Sequence, residues 1–567
     1  MKALLFTLIW GGTSALQQPR QEAVVVGAGP VGVAASLILA DKHNFDVTLL
    51  ESSPASSTQT QYDPTKAFLY NVNGRGQRLT RMFPNMHKKL EERSVVSKGF
   101  AGTSITIIPA DPAEPIPQQK KNVPAAAEDE NKTNNSMPSG EKAGNVGFWI
   151  PRHEMVKLMV EEIEEHNKKG SGGKITLCAG QECISVLPST MDGETMTMVT
   201  TKDVTSKEET SKEYTLVVGA DGMNSQVRDC LSNAPPGTWS SDCVKASKFL
   251  PKKYTSPASF LRIKVLQLPP QFEIPDADGK PPLTTFSEDI YAIRSANNGP
   301  RTYLSLGMLP MKDNNAVRPT NIITRPDHGV WKITDGKSMR EYFQQAFPRF
   351  NFQEGGLISN EEWERFAKAE GTRFPPCQYS PGMAVWAESG STGVALVGDS
   401  IHAFSPDIGQ GVNAGLMDVV CLDRALSGLN TETGEKDGDI ADKKQTKKQT
   451  LQGNLERYQK QHAPEVAALI RLARFGAPYQ YRQPHRADKV LRLLWTANVA
   501  MRLILNKLSF GVIQPPCIIL SQNKDLTFRQ VMSKADRTTA LLKTLVLAVA
   551  TLLVEKRFGL GLFRAFA

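Results

Sequence analysis

Two hydrophobic patterns alternate along this chain of 567 residues. Short, continuously apolar runs such as Ala23–Val26 and Leu216–Val218 each lead through glycine into a helical pattern, which predicts buried parallel strands followed by helices. Runs of alternating, β-branched character, such as those that begin at Ser259 and Asp289, lie between them and predict a separate sheet. The predicted fold class is α/β, with a discontinuous parallel-strand domain, an inserted mixed β-sheet domain and a C-terminal helical region.

The first apolar strand ends in a glycine-rich turn that opens an alanine-rich helix. This turn consists of Gly27, Ala28, Gly29, Pro30, Val31 and Gly32. About twenty residues later the next strand ends at Glu51, the spacing at which an acidic side chain holds a ribose in dinucleotide-binding units. Glu51 argues against a ribose 2′-phosphate, which would call for a basic residue. By itself the turn also fits an ordinary strand–helix connection.

Two further segments join an apolar strand to Gly-Asp or Asp-Gly. In the first, Leu216–Gly219 precedes Asp221-Gly222, with a serine and an arginine one helical turn apart; a simple capping turn is the alternative. In the second, the strand from Gly393 reaches Asp399, and Gly409 and Gly411 then open another helix. Closely spaced glycines let backbone amides approach a pyrophosphate or a flavin ring that a side chain would block. Together, the three segments predict a flavoprotein.

Three such segments in this order resemble the flavin-dependent aromatic hydroxylases, the single-component FAD monooxygenases. Within that family the likeness is to kynurenine 3-monooxygenase and its plant and algal relatives, because Gly409–Gly415 resembles their G-Q-G-x-N-A-G. The Gly-Arg pair at Gly74 and the R-x-x-L segment at Arg152 resemble other family segments, and Pro515–Thr539 resembles the tail of the plant and algal proteins. The resemblance implies a Rossmann-type FAD-binding domain with a β-sheet substrate domain inserted into it.

The resemblance also implies the chemistry and the site. NADPH or NADH reduces FAD, O2 adds to it, and the flavin hydroperoxide hydroxylates an electron-rich small molecule. Gly27, Gly29 and Gly32 are expected at the pyrophosphate turn, Glu51 at the adenosine ribose and Asp399 in the ribityl and pyrophosphate region. Gly411, Val412 and Asn413 are expected to contact the isoalloxazine and Arg152 to flank it, and Gly409 is expected among the cofactor-binding residues. Asp221 is expected to orient an arginine or touch a dinucleotide, and His402 is expected to be structural rather than an acid–base group.

The substrate is less well specified. Kynurenine hydroxylases bind the substrate carboxylate with an arginine from a Met-Arg-x-Arg run, whereas Val95–Thr106 contains neither arginine nor tyrosine. Lys98 is the nearest substitute, but a point-charge amine does not reproduce a bidentate guanidinium. Three function classes stay open: an aromatic hydroxylase, an isoprenoid or carotenoid epoxidase or reductase on the same fold, and a flavin-binding protein without turnover.

Amino-acid composition limits the classes of binding partner that the sequence supports. A formal net charge of +9 suits an anionic membrane surface or acidic ligands. Nucleic acid is disfavoured as a partner, because the sequence has no basic stripe with interleaved aromatic residues. The 7 cysteines form no C-x-x-C pair, so ordinary thiols are expected rather than a disulfide scaffold or a metal site.

Both ends of the chain are apolar. Residues 1–15 begin with a positive charge, continue with a short apolar run and end in small residues, which predicts a secretory signal peptide cleaved after Ala15. The sequence around this cleavage point also resembles that in the leaders of algal plastid proteins. Thr544–Val554 is uncharged but short, so a tail that lies on a membrane or only partly spans it is expected, with docking on the protein surface as the alternative. The apolar stretch Val490–Leu505 is expected to pack on the flavin domain.

Two polar, low-aromatic segments are predicted to be disordered insertions. The predicted organisation is a signal peptide at 1–15, the FAD-binding domain at 22–109, 146–232 and 370–426, insertions at 110–145 and 427–452, a substrate domain at 233–369, a helical region at 453–538 and a membrane-associated tail at 539–567.

Overall fold

The three-dimensional structure is a computed structural model. It describes residues 20–54, 60–64, 68–97, 105–117, 146–297, 299, 301–431, 433–434, 450–481 and 486–558. The predicted signal peptide, Lys98 and most of the two predicted insertions lie outside the described residues.

The apolar strands of the glycine-containing motifs lead into helices, as the hydrophobic pattern predicts. The strands are β1 (Glu22–Val26), β2 (Asp46–Glu51), β3 (Leu69–Val72), β4 (Val95–Ser97), β5 (Ile105–Ile108), β6 (Gly147–Pro151), β7 (Ile175–Ala179), β8 (Gln181–Met191), β9 (Glu194–Asp203), β10 (Glu209–Tyr214), β11 (Leu216–Gly219), β12 (Lys252–Tyr254), β13 (Arg262–Leu268), β14 (Glu273–Ile274), β15 (Leu283–Thr284), β16 (Ile290–Arg294), β17 (Ser305–Met308), β18 (Arg318–Thr324), β19 (Thr372–Arg373), β20 (Cys377–Tyr379), β21 (Ala384–Trp386), β22 (Gly393–Leu396) and β23 (His402–Ala403). The α-helices are α1 (Pro30–His43), α2 (Gln77–Thr80), α3 (Pro84–Arg93), α4 (Arg152–Lys169), α5 (Gln226–Asn233), α6 (Gly336–Ala346), α7 (Asn360–Lys368), α8 (Gly411–Leu426), α9 (Leu451–Phe475), α10 (Arg486–Leu508), α11 (Cys517–Leu520) and α12 (Phe528–Phe558).

The first sheet is built from distant parts of the chain. Its strand order is β21-β22-β11-β1-β2-β7, and all pairs are parallel except β21 with β22. The central strands are almost fully buried because helices cover the sheet, as continuous apolar runs require. The predicted α/β class with a Rossmann-type sheet is therefore confirmed.

The second sheet forms the inserted unit. Its order is β19-β13-β18-β17-β16-β5, antiparallel except for β5 with β16. Helices α6 and α7 pack on one face through an aromatic cluster around Phe343 and Trp363. One boundary differs from expectation: Ile105–Ile108, which was placed with the flavin domain, completes the second sheet because its backbone pairs with β16.

The C-terminal helices follow a different plan from the one predicted. Helix α9 packs on α8 and on the first sheet, and the first turns of α12 pack on α9. The expectation that Val490–Leu505 packs on the flavin domain is wrong, since the leucines of α10 face outward. The apolar tail is not a separate short helix either: Thr544–Val554 is the second half of α12, which starts 16 residues earlier at Phe528.

Candidate functional site

The parallel strand order brings the three predicted motifs to one edge. Strands β22, β11 and β1 are neighbours in the first sheet, so the turns that follow them lie side by side. These turns carry Asp399, Asp221 and Gly27 respectively. Gly27 and Asp399, which are 372 positions apart in sequence, therefore line one crevice at the carboxyl ends of the strands.

The glycine-rich turn after β1 cannot accept side chains at its ends. Gly27 has φ +101°, and a methyl group there would lie 2.5 Å from the Ala220 carbonyl oxygen. A methyl group on Gly32 would lie 1.8 Å from the Gly27 carbonyl oxygen. These contacts hold the turn tightly against the Asp221 loop and leave the amides at the start of α1 pointing into the crevice, as a pyrophosphate site requires.

Glu51 braces the same turn. One carboxylate oxygen accepts a hydrogen bond from the Ala28 amide at 3.1 Å, and the other accepts one from the Ser53 amide at 2.9 Å. The side chain is buried at the end of β2. An acceptor fixed in this way is suited to the hydroxyls of a ribose placed over the turn.

The third motif closes on the first through Val31. A methyl group on Gly398 would lie 3.1 Å from a Val31 side-chain carbon, and one on Gly415 would lie 2.6 Å from another. Gly29 precedes the helix in an extended conformation, and Pro30 occupies its first turn. Helices α1 and α8 thus direct their N-terminal ends toward the same crevice, which favours a negatively charged ligand there.

Gly409 and Gly411 line open space. Gly409 has φ +60°, and a methyl group on either residue would meet no protein atom within 4 Å. The glycine at 409 is explained by its backbone, but the one at 411, the first residue of α8, is not. A cradle that side chains would fill, next to a helix N-terminus, fits the ring system of a flavin. The residues present therefore suit FAD.

The side chain of Asn413 has another use. Its oxygen accepts a hydrogen bond from the Asn73 amide at 2.9 Å, and its nitrogen donates to the carbonyl oxygens of Asn71 at 2.9 Å and Gly409 at 3.1 Å. Asn413 is fully buried and Val412 is half-buried against the core. These two residues can offer backbone amides to a ring, while the Asn413 side chain fastens the loop after β3 to α8.

Arg152, Asp399 and Tyr70 form a small polar group. Arg152 begins α4, donates its amide to the Phe68 carbonyl at 2.9 Å and hydrogen-bonds the Tyr70 hydroxyl. Asp399 is accessible to solvent, yet densely packed protein around it raises its pKa; the charges of His402 and Arg152 oppose this shift. The group places a cation and a carboxylate beside the crevice.

Asp221 caps a helix. Its carboxylate accepts a hydrogen bond from the Val227 amide at 3.0 Å, near the start of α5. Arg228, in the first turn of α5, donates to the carbonyl oxygens of Ser400 at 2.9 Å and Met223 at 3.0 Å. The second motif therefore ties the Asp399 loop to the sheet, because the Arg228 side chain donates to a backbone carbonyl of that loop.

A buried network behind the crevice was not predicted. Asp418 in α8 accepts hydrogen bonds from His402 at 2.8 Å, His462 at 2.6 Å and the Gly398 amide at 2.8 Å. Burial disfavours charge on all three side chains, but their mutual attraction, with the Cys421 sulfur acting on His462, outweighs it: the pKa of Asp418 falls to about 2, and both histidine pKa values rise. His402 is fully buried, which agrees with a structural role. An acid on the apolar face of α8 was the sequence signal.

A second residue missed in the sequence is Asp407. It lies two residues before Gly409 and is buried; Ser405 donates to one carboxylate oxygen at 2.8 Å, and the other has no hydrogen-bond partner within the described residues. Burial raises the pKa of Asp407 to about 7, against the smaller opposing effect of Ser405. A carboxyl group beside the flavin cradle can therefore exchange a proton near neutral pH.

All 7 cysteines are free thiols, as expected.

Comparison with known proteins gives matches to flavoproteins. The profile of the family described as FAD binding domain matches residues 383–448. Monooxygenase asqM of Emericella nidulans is 22% identical over 438 residues, which cover 74% of this chain and 86% of that protein. Among solved structures, 2-methyl-3-hydroxypyridine-5-carboxylic acid oxygenase is 16% identical with a TM-score of 0.47, covering 80% of this chain and 90% of that one. PqsL, a probable FAD-dependent monooxygenase from Pseudomonas aeruginosa, is 15% identical with a TM-score of 0.42, covering 80% and 95%.

The profile match covers the segment that contains Asp399, Gly409 and Gly411, which the structure places against the glycine-rich turn of α1. The monooxygenase of Emericella nidulans extends the likeness over most of both chains. With the three motifs gathered around one crevice, the chain is an FAD-dependent monooxygenase.

Proposed function

We propose that this enzyme uses NAD(P)H and O2 to hydroxylate an aromatic or similarly electron-rich small molecule, on the general plan of the kynurenine 3-monooxygenases. Bound FAD would take electrons from the nicotinamide and activate O2. One G-x-G-x-x-G turn is present in the sequence, which supports transient use of the nicotinamide cofactor. The observation that carries the proposal is the chemistry of the sheet face that looks toward the flavin motifs.

That face can be read from strand register. Cross-strand partners point to the same side of a sheet, and five strands contribute one partner each to a row. The row is Val265, Asn321, Gly307, Ala292 and Ile107. Four of its members are apolar or lack a side chain, and one carries an amide.

The row lies on the side of the sheet opposite α6 and α7. Its neighbour Lys264 points to the helices, since it donates to the Ala367 carbonyl at 3.1 Å, and alternate residues of a strand face opposite ways. On the same side as Val265, Ile263 packs with Phe68, whose carbonyl accepts the Arg152 amide. The row therefore faces the flavin unit.

A small, apolar surface with one amide suits a flat and largely uncharged ring. The side-chain oxygen of Asn321 is buried without a hydrogen-bond partner within the described residues, so a donor on the ligand would satisfy it. The row itself offers no cation to a carboxylate. This favours a phenol or an aromatic amine over an amino acid such as kynurenine.

A substrate screen tests the proposal. Purified holoenzyme is expected to consume NADPH and O2 faster with neutral phenols or aromatic amines, and mass spectrometry should find one added oxygen atom. L-Kynurenine should be a poor and weakly coupled substrate, because a lost charge-assisted contact is worth roughly 1.5–3 kcal/mol. Asn321→Leu, which removes the amide, should raise KM for the best substrate while FAD content stays constant. Efficient, coupled hydroxylation of kynurenine would contradict this assignment.

A second candidate substrate class follows from the C-terminal helices. Within the described residues, one helix segment, Phe528–Val554, is long and apolar enough to cross a membrane, and its second half is exposed although its first turns are packed on the protein. We propose that α10 and α12 hold the enzyme on a membrane surface, where an isoprenoid or another lipophilic electron-rich compound would be accessible. Epoxidised or reduced products in the same screen would favour this class.

Truncation after Ala540 tests the membrane attachment. The cut keeps Thr538, which is buried and accepts a hydrogen bond from the Gln514 amide, and removes the exposed apolar half of α12. Each methylene withdrawn from water contributes about 0.8 kcal/mol, so flotation with vesicles should fall at least a hundredfold while FAD content is unchanged. If the shortened chain still floats in high salt, the anchor lies elsewhere; loss of FAD would mean that the tail packs on the catalytic unit.

The proton exchange proposed for Asp407 gives a pH-dependent prediction. Its folded pKa of about 7 exceeds the unfolded value of about 3.9, so this group favours the folded state below about pH 4, and that contribution is lost as pH rises to about 7. Asp407→Asn should therefore reduce the fall in unfolding free energy between pH 5 and 8 by on the order of 2–4 kcal/mol. It should also remove a limb near pH 7 from the profile of kcat/KM. Identical profiles for the two proteins would exclude Asp407 from the chemistry.

A further inference from the structure

Helix α10 has its burial pattern inverted. Of its side chains within the described residues, only Arg502 is buried, at 8% exposure, while leucines such as Leu493 remain exposed, at 69%. In a helix that packs on its own protein, apolar residues face inward and arginines outward. Two environments outside the protein would explain this pattern: an apolar one for the leucines and an anion for the arginine.

Arg502 lines a cavity of about 490 Å³ between the end of α9, α10 and the first turns of α12. We call it the arginine cavity, because its walls contain Arg471, Arg474 and Arg502 together with one acid, Asp536, and the rings of Tyr479 and Trp495. Arg471 and Asp536 neutralise each other through contacts of 2.9 and 3.1 Å. The other two arginines determine the character of the cavity.

Neither of these arginines has a carboxylate partner within the described residues. Arg502 donates to the Asn498 side-chain oxygen at 3.2 Å and to the Thr539 hydroxyl at 2.8 Å, which are both neutral. Arg474 lies over the rings of Tyr254 at 4.2 Å and Phe475 at 4.9 Å. Arg502 is buried without a counter-charge, which is costly, and Arg474 is half-buried beside the same cavity; an anion bound between them removes that cost.

The surroundings of the cavity indicate which anion. Beyond Arg502, α10 exposes further apolar side chains, and the loop after it exposes Phe510 almost completely, at 98%. The second half of α12 is exposed and apolar in the same way. An anionic head next to a wide apolar surface describes a membrane phospholipid: its phosphate would face Arg474 and Arg502 and its chains would follow the helices.

We therefore propose that the arginine cavity binds the head group of an anionic phospholipid. The proposal deepens the membrane association proposed above and rests on it. A specific head-group site differs from general attraction to a charged surface because only charges that line the cavity should matter, whereas surface attraction treats all nearby cations alike.

The test uses full-length holoenzyme and a short-chain phosphatidylglycerol below its micelle concentration, measured by calorimetry. Wild-type protein should bind one molecule. Arg502→Gln and Arg474→Gln should each weaken binding about tenfold or more, since each removes a charge-assisted contact. Lys489→Gln, which removes an exposed charge from α10 outside the cavity, should change affinity less than twofold. If Arg502→Gln fails to fold, Arg474→Gln alone decides, because its guanidinium packs on rings and not between helices.

Several outcomes would overturn the proposal: no saturable binding, equal weakening in all three variants, or inorganic phosphate binding as tightly as the lipid, which would indicate a site for a free anion. Flotation of wild-type protein with neutral phosphatidylcholine vesicles is measured separately. Flotation without lipid binding in the cavity would leave membrane association standing and remove the head-group site. Absence of flotation both with these vesicles and with vesicles that contain phosphatidylglycerol would refute the membrane proposal itself, and NADPH oxidation remains an independent readout of the monooxygenase.

Discussion

Replacing Asp418 with asparagine is expected to lower the unfolding free energy by about 3 kcal/mol, because removing one partner leaves buried cations uncompensated. Asp418 accepts hydrogen bonds from His402 and the Gly398 amide through one carboxylate oxygen and from His462 through the other. The loop that carries Asp399 should therefore loosen as well. We expect weaker FAD retention together with the loss of stability.

The effect should depend on pH in a defined direction. Asp418 has a folded pKa of about 2, below the unfolded value of about 3.9, so its contribution is present above that range and lost as pH falls through it. His402 and His462 have raised folded pKa values, so their contribution is present below about pH 6.5 and lost as pH rises through the raised values. The network thus stabilises most between about pH 4 and 6.5. The asparagine variant should lose more stability at pH 5.5 than at pH 8, measured by denaturant unfolding at both values.

Asp423→Asn is a matched control on the same helix. Asp423 contacts His43 at 2.8 Å, but both side chains are partly exposed, so the expected loss is within about 1 kcal/mol. Equal losses for the two variants, or a loss at Asp418 that does not vary with pH, would mean that the histidines carry no charge in the folded protein.

Gly411→Ala is expected to lower FAD affinity more than tenfold without lowering protein stability. A methyl group at this position meets no protein atom within 4 Å, and alanine is favoured over glycine in a helix. Only a ligand in the open space would resist the substitution. FAD fluorescence during reconstitution of the apoprotein gives the affinity, and thermal unfolding of the apoprotein gives the stability.

Two other glycines frame this result. Gly329→Ala also adds a methyl group in open space, but Gly329 belongs to the inserted β-sheet domain and to none of the flavin motifs. FAD affinity should therefore not change. Gly32→Ala places the methyl group 1.8 Å from a backbone oxygen, so the turn itself must distort and both FAD binding and stability should fall. If Gly411→Ala bound FAD as wild type does, the ring would have to lie away from the start of α8.

The sequence indicated the local units of the site because each is a strand, a turn and a helix whose requirements are met by nearby residues. Gly27 needs a positive φ, Gly32 must lie against the Gly27 carbonyl oxygen, and Glu51 ends the next strand at the spacing of a ribose acceptor. The roles of single side chains were harder to predict. Asn413 matches a family motif, yet its side-chain amide hydrogen-bonds the backbone of the loop after β3. This contact joins residues 340 positions apart, so no local pattern reveals it.

Acids in the core were missed for a related reason. Asp407 and Asp418 are ordinary polar residues in the sequence, and their significance comes from burial and from partners. One histidine that binds Asp418 lies 16 residues before it and the other 44 residues after it, on a different helix. The pKa values of these groups are set by that packing.

The sequence by itself determined that this protein has an α/β flavin-binding scaffold, since continuous apolar strands and obligatory glycines follow from local sterics and burial. Only the tertiary structure decided how the surfaces are used. The apolar residues of α10 satisfy the same helical period whether they face protein or lipid, and the structure turns Arg502, which donates to Thr539 of α12, inward and the leucines outward. Strand register likewise placed five separate residues in the row opposite the flavin motifs, because hydrogen bonding between distant strands decides which side chains share a face.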